Sequence, residues 1–245
     1  MELLESELLA TLSHELRGPL ASVQGYTATL LKHGDTISYD ERQEFLVAIT
    51  DAGRQLEVVI DRLFEIAQLE TGMLTLDRTD IDLVALVQQA ITQTENRLQQ
   101  SLLAELPFTF SLHLEDNEHG QTQREQHIQG DARRLKEVID HLLENAMLYS
   151  PRGGDIELGI RQQQHLHMTE MWIRDNGIGI PSDLLHRIFG RFHRVDMRLT
   201  RETAGLGLGL TICKRIIELH NGVIWAESAS DKGSMFHVLL PIERL

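Results

Sequence analysis

His14 is followed directly by Glu15. An imidazole whose proton is held by a neighbouring acceptor has a fixed tautomer and a more nucleophilic second nitrogen, so such a pair can attack an electrophile. Pro19, in the same segment, cannot donate to the Glu15 carbonyl, which predicts a kink or loosened turn just after the histidine. Taken alone, an exposed helix histidine is ordinary surface; the neighbouring residues single this one out.

Three further segments carry residue types suited to holding a charged ligand. Asn145 sits beside an apolar helical stripe, and its amide oxygen can ligate a hard cation such as Mg²⁺. Asp175-Asn176-Gly177-Ile178-Gly179-Ile180 follows an alternating stretch; alone it reads equally as a tight turn or as a loop that a ligand approaches closely. Gly205-Leu206-Gly207-Leu208-Gly209-Leu210 opens a helical pattern, and a glycine-rich turn at a helix start presents free amides to an anion. Its spacing is neither a dinucleotide fingerprint nor a Walker loop. Arg191, Arg194, Arg198 and Arg201 lie between these glycine segments, as a solvated basic loop or as a phosphate clamp. His165 and His167 lack cysteine or carboxylate support and read as a surface turn rather than a metal site. Cys213 reads as small apolar filler.

Two long helices must position the first pair. Leu9, Leu12, Leu16, Pro19, Val23, Tyr26 and Leu30 are spaced 3,4,3,4,3,4, a heptad seam that places His14 at an f position, away from it. Phe45, Ile49, Ala52, Leu56, Val59, Leu63 and Ile66 repeat the pattern, and Leu46, Gly53, Ile60 and Ala67 widen the apolar face. Ser38 to Glu41 has the form of a capping box, Gly72 a stop, and His33-Gly34-Asp35 a turn. Two such helices cannot bury faces this wide, which predicts a homodimeric four-helix bundle.

Beyond Met73 the pattern mixes helices (82–97, 131–149, 206–220) with alternating strands (108–114, 156–160, 167–174, 223–227, 235–240). This predicts an α+β sandwich, with a mixed sheet covered by helices on one face. The linker candidates are 70–76 and the polar stretch 116–127, expected to be a solvated loop. The expected domains are therefore 1–72 and 73–245. A net charge of −14 argues against nucleic acid and anionic membrane surfaces as partners. No run approaches the roughly 18 apolar residues of a membrane span. The acidic start is unlike a signal peptide, and one cysteine excludes an internal disulfide.

Ser13-His14-Glu15-Leu16-Arg17-Gly18-Pro19-Leu20 resembles the phosphoacceptor box of sensor histidine kinases, which commonly reads S-H-E-L-R-T-P-L. The segment around Asn145 is similar to the family's N box, 175–180 to its G1 box, 188–194 to its F box and 205–210 to its G2 box. The resemblance spans about residues 5 to 242. It implies a helical hairpin that dimerises as a four-helix bundle, then an α/β sandwich ATP-binding domain of the gyrase, Hsp90 and histidine kinase type. It implies that ATP phosphorylates His14 with Glu15 as base, and that the phosphoryl group passes to an aspartate of a response regulator. Asn145 would hold Mg²⁺, and Asp175 would accept from the adenine amino group. Tyr149, Gly177, Gly179, Arg191, Arg194, Gly205, Leu206, Gly207, Leu208 and Gly209 would contribute to ATP binding, with 195–204 as a lid. The expected location is cytoplasmic, alone or as part of a membrane-anchored parent.

The family pattern is broken at three positions. Gly18 stands where Thr or Asn usually positions the water that dephosphorylates the regulator, which predicts weak phosphatase activity. His141 replaces an Asn and Leu148 a basic residue of the N box, so the metal and phosphate contacts stay open. These changes keep a nucleotide-binding pseudokinase, or dimeric signalling scaffold, as an alternative. A conformational ATPase is disfavoured: it would lack His14 on a heptad helix and would carry a water-activating Glu on the N-box helix.

Overall fold

A computed structural model describes residues 2–33, 36–70, 75–100, 105–115, 126–190 and 208–242. Two compact units emerge, one built on the first two helices and the other on every later element.

The first unit is a helical hairpin of α1 (Glu2–His33) and α2 (Tyr39–Glu70). The helix continues through Pro19, because one missing amide removes one rung of the ladder. The turn closes when the amides of Thr36 and Ile37 donate to the His33 carbonyl. The capping box forms as its sequence predicts. Ser38 donates from its amide and hydroxyl to the Glu41 carboxylate (3.0 and 2.7 Å), and the Glu41 amide returns a bond to the Ser38 hydroxyl. Those bonds hold the Glu41 carboxyl below its ordinary range.

Leu16, Pro19, Val23, Tyr26 and Leu30 are half-buried between exposed neighbours, matching the heptad register. On α2 the half-buried described residues are Phe45, Ala48, Ile49, Leu56, Val59 and Leu63, and Ala52 is buried. Tyr26 and Phe45 meet across the seam with ring centroids 5.2 Å apart. Leu46, Val47, Val58, Ile60 and Phe64 remain exposed.

The second unit runs β1 (Thr79–Asp82), α3 (Leu83–Gln99), β2 (Phe108–Leu114), β3 (His127–Gly130), α4 (Ala132–Leu148), β4 (Gly154–Gln163), β5 (Met168–Asp175), α5 (Gly209–Leu219), β6 (Val223–Ser228) and β7 (Ser234–Pro241). Its five-stranded sheet has the order β2-β4-β5-β7-β6. Only β2 and β4 pair in parallel; the other neighbours are antiparallel. Helices α4 and α5 lie on the sheet, and α3 packs on α4. Leu142 and Leu143 of α4, Ile216 and Ile217 of α5, Leu158 of β4 and Val238 of β7 are sealed from solvent. Each such side chain contributes about 1.5–3 kcal/mol when buried. On the opposite face Trp225 stacks on His237, and the buried Glu170 accepts from Arg161, Gln163 and His237.

Strands β1 and β3 form a separate antiparallel pair that periodicity does not announce, since four residues are too short to show alternation. They correct two expectations. The helix predicted from Asp82 starts at Leu83, with Asp82 as its N-cap accepting from the Val84 amide. The loop expected to reach His127 ends sooner: Gln126 is buried, its amide donates to Asp82, and His127 begins β3.

Asp131 ties this unit together. Its carboxylate caps α4 through the Arg134 amide and also accepts from the Asp77 amide. Its own amide donates to His220 Nε2 at 2.9 Å, and His220 Nδ1 lies 2.8 Å from the Ile216 carbonyl. Accepting at one nitrogen and donating at the other requires a neutral ring. Burial, first, and the Arg78 charge push the His220 pKa below its ordinary value.

Candidate functional site

His14 and Glu15 lie on α1. The observed seam at Leu16, Pro19, Val23, Tyr26 and Leu30 assigns position 14 to the f register. Their side chains lie outside the described set. Ser13, Arg17 and Gly18 are exposed. A Cβ added at Gly18 would meet nothing within 4 Å.

In the second unit, Asp175 ends β5 as a buried carboxylate, 3% exposed. Its Oδ1 accepts from the amides of Gly177 (2.8 Å) and Ser234 (3.2 Å). Burial pushes its carboxyl above the ordinary range, and those two amides pull it back. Gly177 is required by space, since a Cβ there would overlap the Tyr149 carbonyl oxygen and crowd Asp175 Oδ1 and Ser150 Oγ. Tyr149 is the C-cap of α4: its amide donates to the Asn145 carbonyl, and its own carbonyl accepts from the Ile178 amide at 3.0 Å. Asn145, Tyr149, Asp175 and Gly177 are thus joined by one chain of contacts between the end of α4 and the loop 175–180. Gly179, at φ +68°, faces the other way, against the Ala229 carbonyl.

Gly209 is the first residue of α5, and a Cβ on it would stand 3.0 Å from the His141 ring. His141 lies one turn before Asn145, and among the described residues its Nε2 is buried without a partner. Leu208 is fully buried, so any ligand contact there would be made by its backbone. Leu148 is exposed. Arg191, Arg194, Arg198, Arg201, Gly205, Leu206, Gly207 and the segment 195–204 lie outside the described residues.

Sequence reasoning missed the turn between β6 and β7. The Asp231 amide donates to the Ile178 carbonyl (2.7 Å), and the Ile180 amide donates to Ser228 Oγ (2.7 Å). Asp231-Lys232-Gly233 carries a turn signal, but nothing in it names the loop it binds.

A buried carboxylate such as Asp175 can accept from an exocyclic amine, and the space beside Gly177 is taken by the Tyr149 carbonyl. Residues 4–72 match the His Kinase A (phospho-acceptor) domain, and residues 130–244 match the Histidine kinase-, DNA gyrase B-, and HSP90-like ATPase. The chain is 32% identical over 242 residues (98% of its length) to the circadian input-output histidine kinase CikA of Synechococcus elongatus. It is 29% identical over 235 residues (96% of its length) to the sensor histidine kinase WalK of Bacillus subtilis. The chain spans 30% and 36% of those relatives' lengths.

Among solved structures, the Acinetobacter baumannii histidine kinase AdeS matches with a TM-score of 0.69 at 21% identity, over 94% of this chain and 98% of that one. The histidine kinase ThkA, in complex with response regulator protein TrrA, matches with a TM-score of 0.71 at 22% identity, over 97% of this chain and 61% of that one. At these identities the likeness is one of fold: a helical hairpin followed by a mixed α/β ATPase domain. With both domains present in this order, the chain belongs to the two-component sensor histidine kinases and comprises their phosphoacceptor and ATP-binding core.

Proposed function

We propose that this chain transfers the γ-phosphoryl group of ATP to His14 and then to an aspartate of a response regulator. The observation that carries this is the buried Asp175 carboxylate at the end of β5, held by the Gly177 and Ser234 amides beside the Tyr149 carbonyl. It suits a base that donates through an exocyclic amine; guanine lying in the same orientation as adenine would present its O6 acceptor to the carboxylate.

An imidazole nitrogen of His14 attacks the γ-phosphorus in line, the bond to the bridging oxygen breaks, and ADP leaves. Glu15 takes the ring proton. Asn145 offers a half-buried amide oxygen, a donor that suits Mg²⁺, which when bound offsets charge on the phosphates. Gly205, Gly207, Gly209 and the backbone of Leu206 and Leu208 supply amides to the phosphates, with Arg191 and Arg194 as cationic support.

The exposed apolar side chains of α2 support a homodimer, with residues 1–72 as the dimerising and phosphoacceptor domain and 73–245 as the ATP-binding domain. The family, and the regulator bound to ThkA, support a response regulator as the partner. Among the described residues no helix is long and apolar enough to cross a membrane. The family supports a cytoplasmic place for this core, alone or as part of a membrane-anchored parent.

Incubation with γ-labelled ATP and Mg²⁺ should give acid-labile, base-stable label. A His14→Gln chain should stay unlabelled, and label persisting there would overturn the assignment. Gly18 removes the side chain that would help hydrolyse the regulator's phosphate, so phosphatase activity is weak. Strong acceleration of regulator dephosphorylation by the purified dimer would refute that.

A further inference from the structure

The turn Ala229–Gly233 is clasped onto the loop 175–180. Besides the Asp231 bond to Ile178, Ser228 bridges the two segments: its oxygen accepts from the Ile180 amide at 2.7 Å and its hydroxyl donates to the Gly233 carbonyl at 2.6 Å. The Ser234 hydroxyl lies 3.1 Å away, and the Ser234 amide donates to Asp175 Oδ1 at 3.2 Å. Two glycines permit the close approach. Gly179 meets the Ala229 carbonyl and Gly233 (φ +75°) meets the Asp175 carbonyl, and neither has room for a Cβ. The loop 175–180 has no regular structure of its own beyond Asp175. Its shape is therefore imposed from outside, by the Tyr149 carbonyl on one side and by Ser228 and its turn on the other.

Resting on the nucleotide reading of Asp175 proposed above, we propose that Ser228 is a positioning residue of the nucleotide site. Its hydroxyl locks the β6–β7 turn to the end of the loop that carries Asp175 and Gly177, and so sets where the base can lie. Ser228 itself does not touch the nucleotide. Removing the hydroxyl leaves the Ile180 amide and the Gly233 carbonyl without their partner, and the loop gains freedom that binding must then remove.

The test is nucleotide affinity of the purified chain, measured by calorimetry with ATP and ADP, together with steady-state autophosphorylation and amide exchange. In Ser228→Ala, ATP and ADP should each weaken about tenfold, by the same factor, because the lost constraint is at the base end. KM for ATP should rise while kcat at saturation is kept. Ser228→Thr, which retains the hydroxyl, should recover affinity. The Ile180 amide should exchange faster in Ser228→Ala while amides within β5 and β7 keep their protection.

Wild-type affinity in Ser228→Ala overturns the proposal, as does an equal loss in Ser228→Thr. A fall in kcat with KM unchanged also overturns it. If Ser228→Ala does not fold, exchange in the wild type decides. The Ile180 and Asp231 amides should gain protection when ADP binds, and unchanged protection overturns the proposal. A wild-type chain that binds neither ATP nor ADP instead overturns the nucleotide reading on which it rests.

Discussion

The two units of this chain bury themselves to different degrees. In the α/β unit, Leu142, Leu143, Leu158, Ile216, Ile217 and Val238 are sealed from solvent. In the hairpin the described heptad residues are at best half-buried, apart from Ala52, and Ile60 and Phe64 are 54% and 67% exposed. Both units carry apolar residues at regular spacing, so the difference lies in geometry. Two helices touch along one line, whereas two helices on a five-stranded sheet enclose a volume. Among the described residues the α/β unit closes on its own core, and the exposed apolar face of the hairpin suits the homodimer proposed above.

Substitutions can break or sharpen that contrast. Leu142→Ala should cost about 2–5 kcal/mol in denaturant melts, equally at all protein concentrations, because it opens a cavity in a closed core. A concentration-dependent cost would mean that the core is completed by another chain. Ile60→Asp reads the opposite way. On a monomer, an exposed substitution changes stability by only about 0.5 kcal/mol. In a four-helix bundle it places a carboxylate in the shared core. The expected result is a shift from dimer to monomer in light scattering, with lost concentration dependence of the melt; an unaltered dimer would remove this face from the interface.

A smaller effect concerns His220, whose neutral ring joins α4 to α5. Its folded-state pKa is depressed, so the unfolded chain takes the proton first as pH falls. Its contribution is complete above the ordinary imidazole value of 6.5 and is lost as pH drops from there toward the depressed value. Urea midpoints at pH 7.5 and 5.5 should differ more for the wild type than for His220→Gln. An equal pH dependence in both would remove His220 from the account.

The same contrast explains what the sequence reveals. The hairpin reads well because heptads are local: Leu16, Val23 and Leu30 reappear at their expected register, and Ser38 and Glu41 bond as a capping box should. Strand β2 shows the expected alternation, whereas β4 and β5, each with a neighbouring strand on both edges, are buried on consecutive residues. The β1–β3 pair does not, because four residues carry no period and their pairing joins positions nearly fifty residues apart. Within the site, Asp175, Gly177 and Gly179 are visible as a glycine-rich turn, with the family resemblance supplying their role. Ser228 is not, since a serine ending a strand is unremarkable until the Ile180 amide is found upon it. The resemblance supplies Asn145 too, but the contact of His141 with Gly209 depends on how α4 and α5 pack.

Gly18 carries one more consequence. The position is exposed, and nothing lies within 4 Å of a Cβ placed there. The Cβ of a threonine there meets no neighbour, and threonine would gain a few tenths of a kcal/mol in helix propensity over glycine. On the reading proposed for this position, such a change alters how long the regulator stays phosphorylated and leaves the fold untouched. On that reading, signal lifetime can be tuned at a position where an added Cβ meets no described neighbour, one helical turn from the proposed phosphoacceptor.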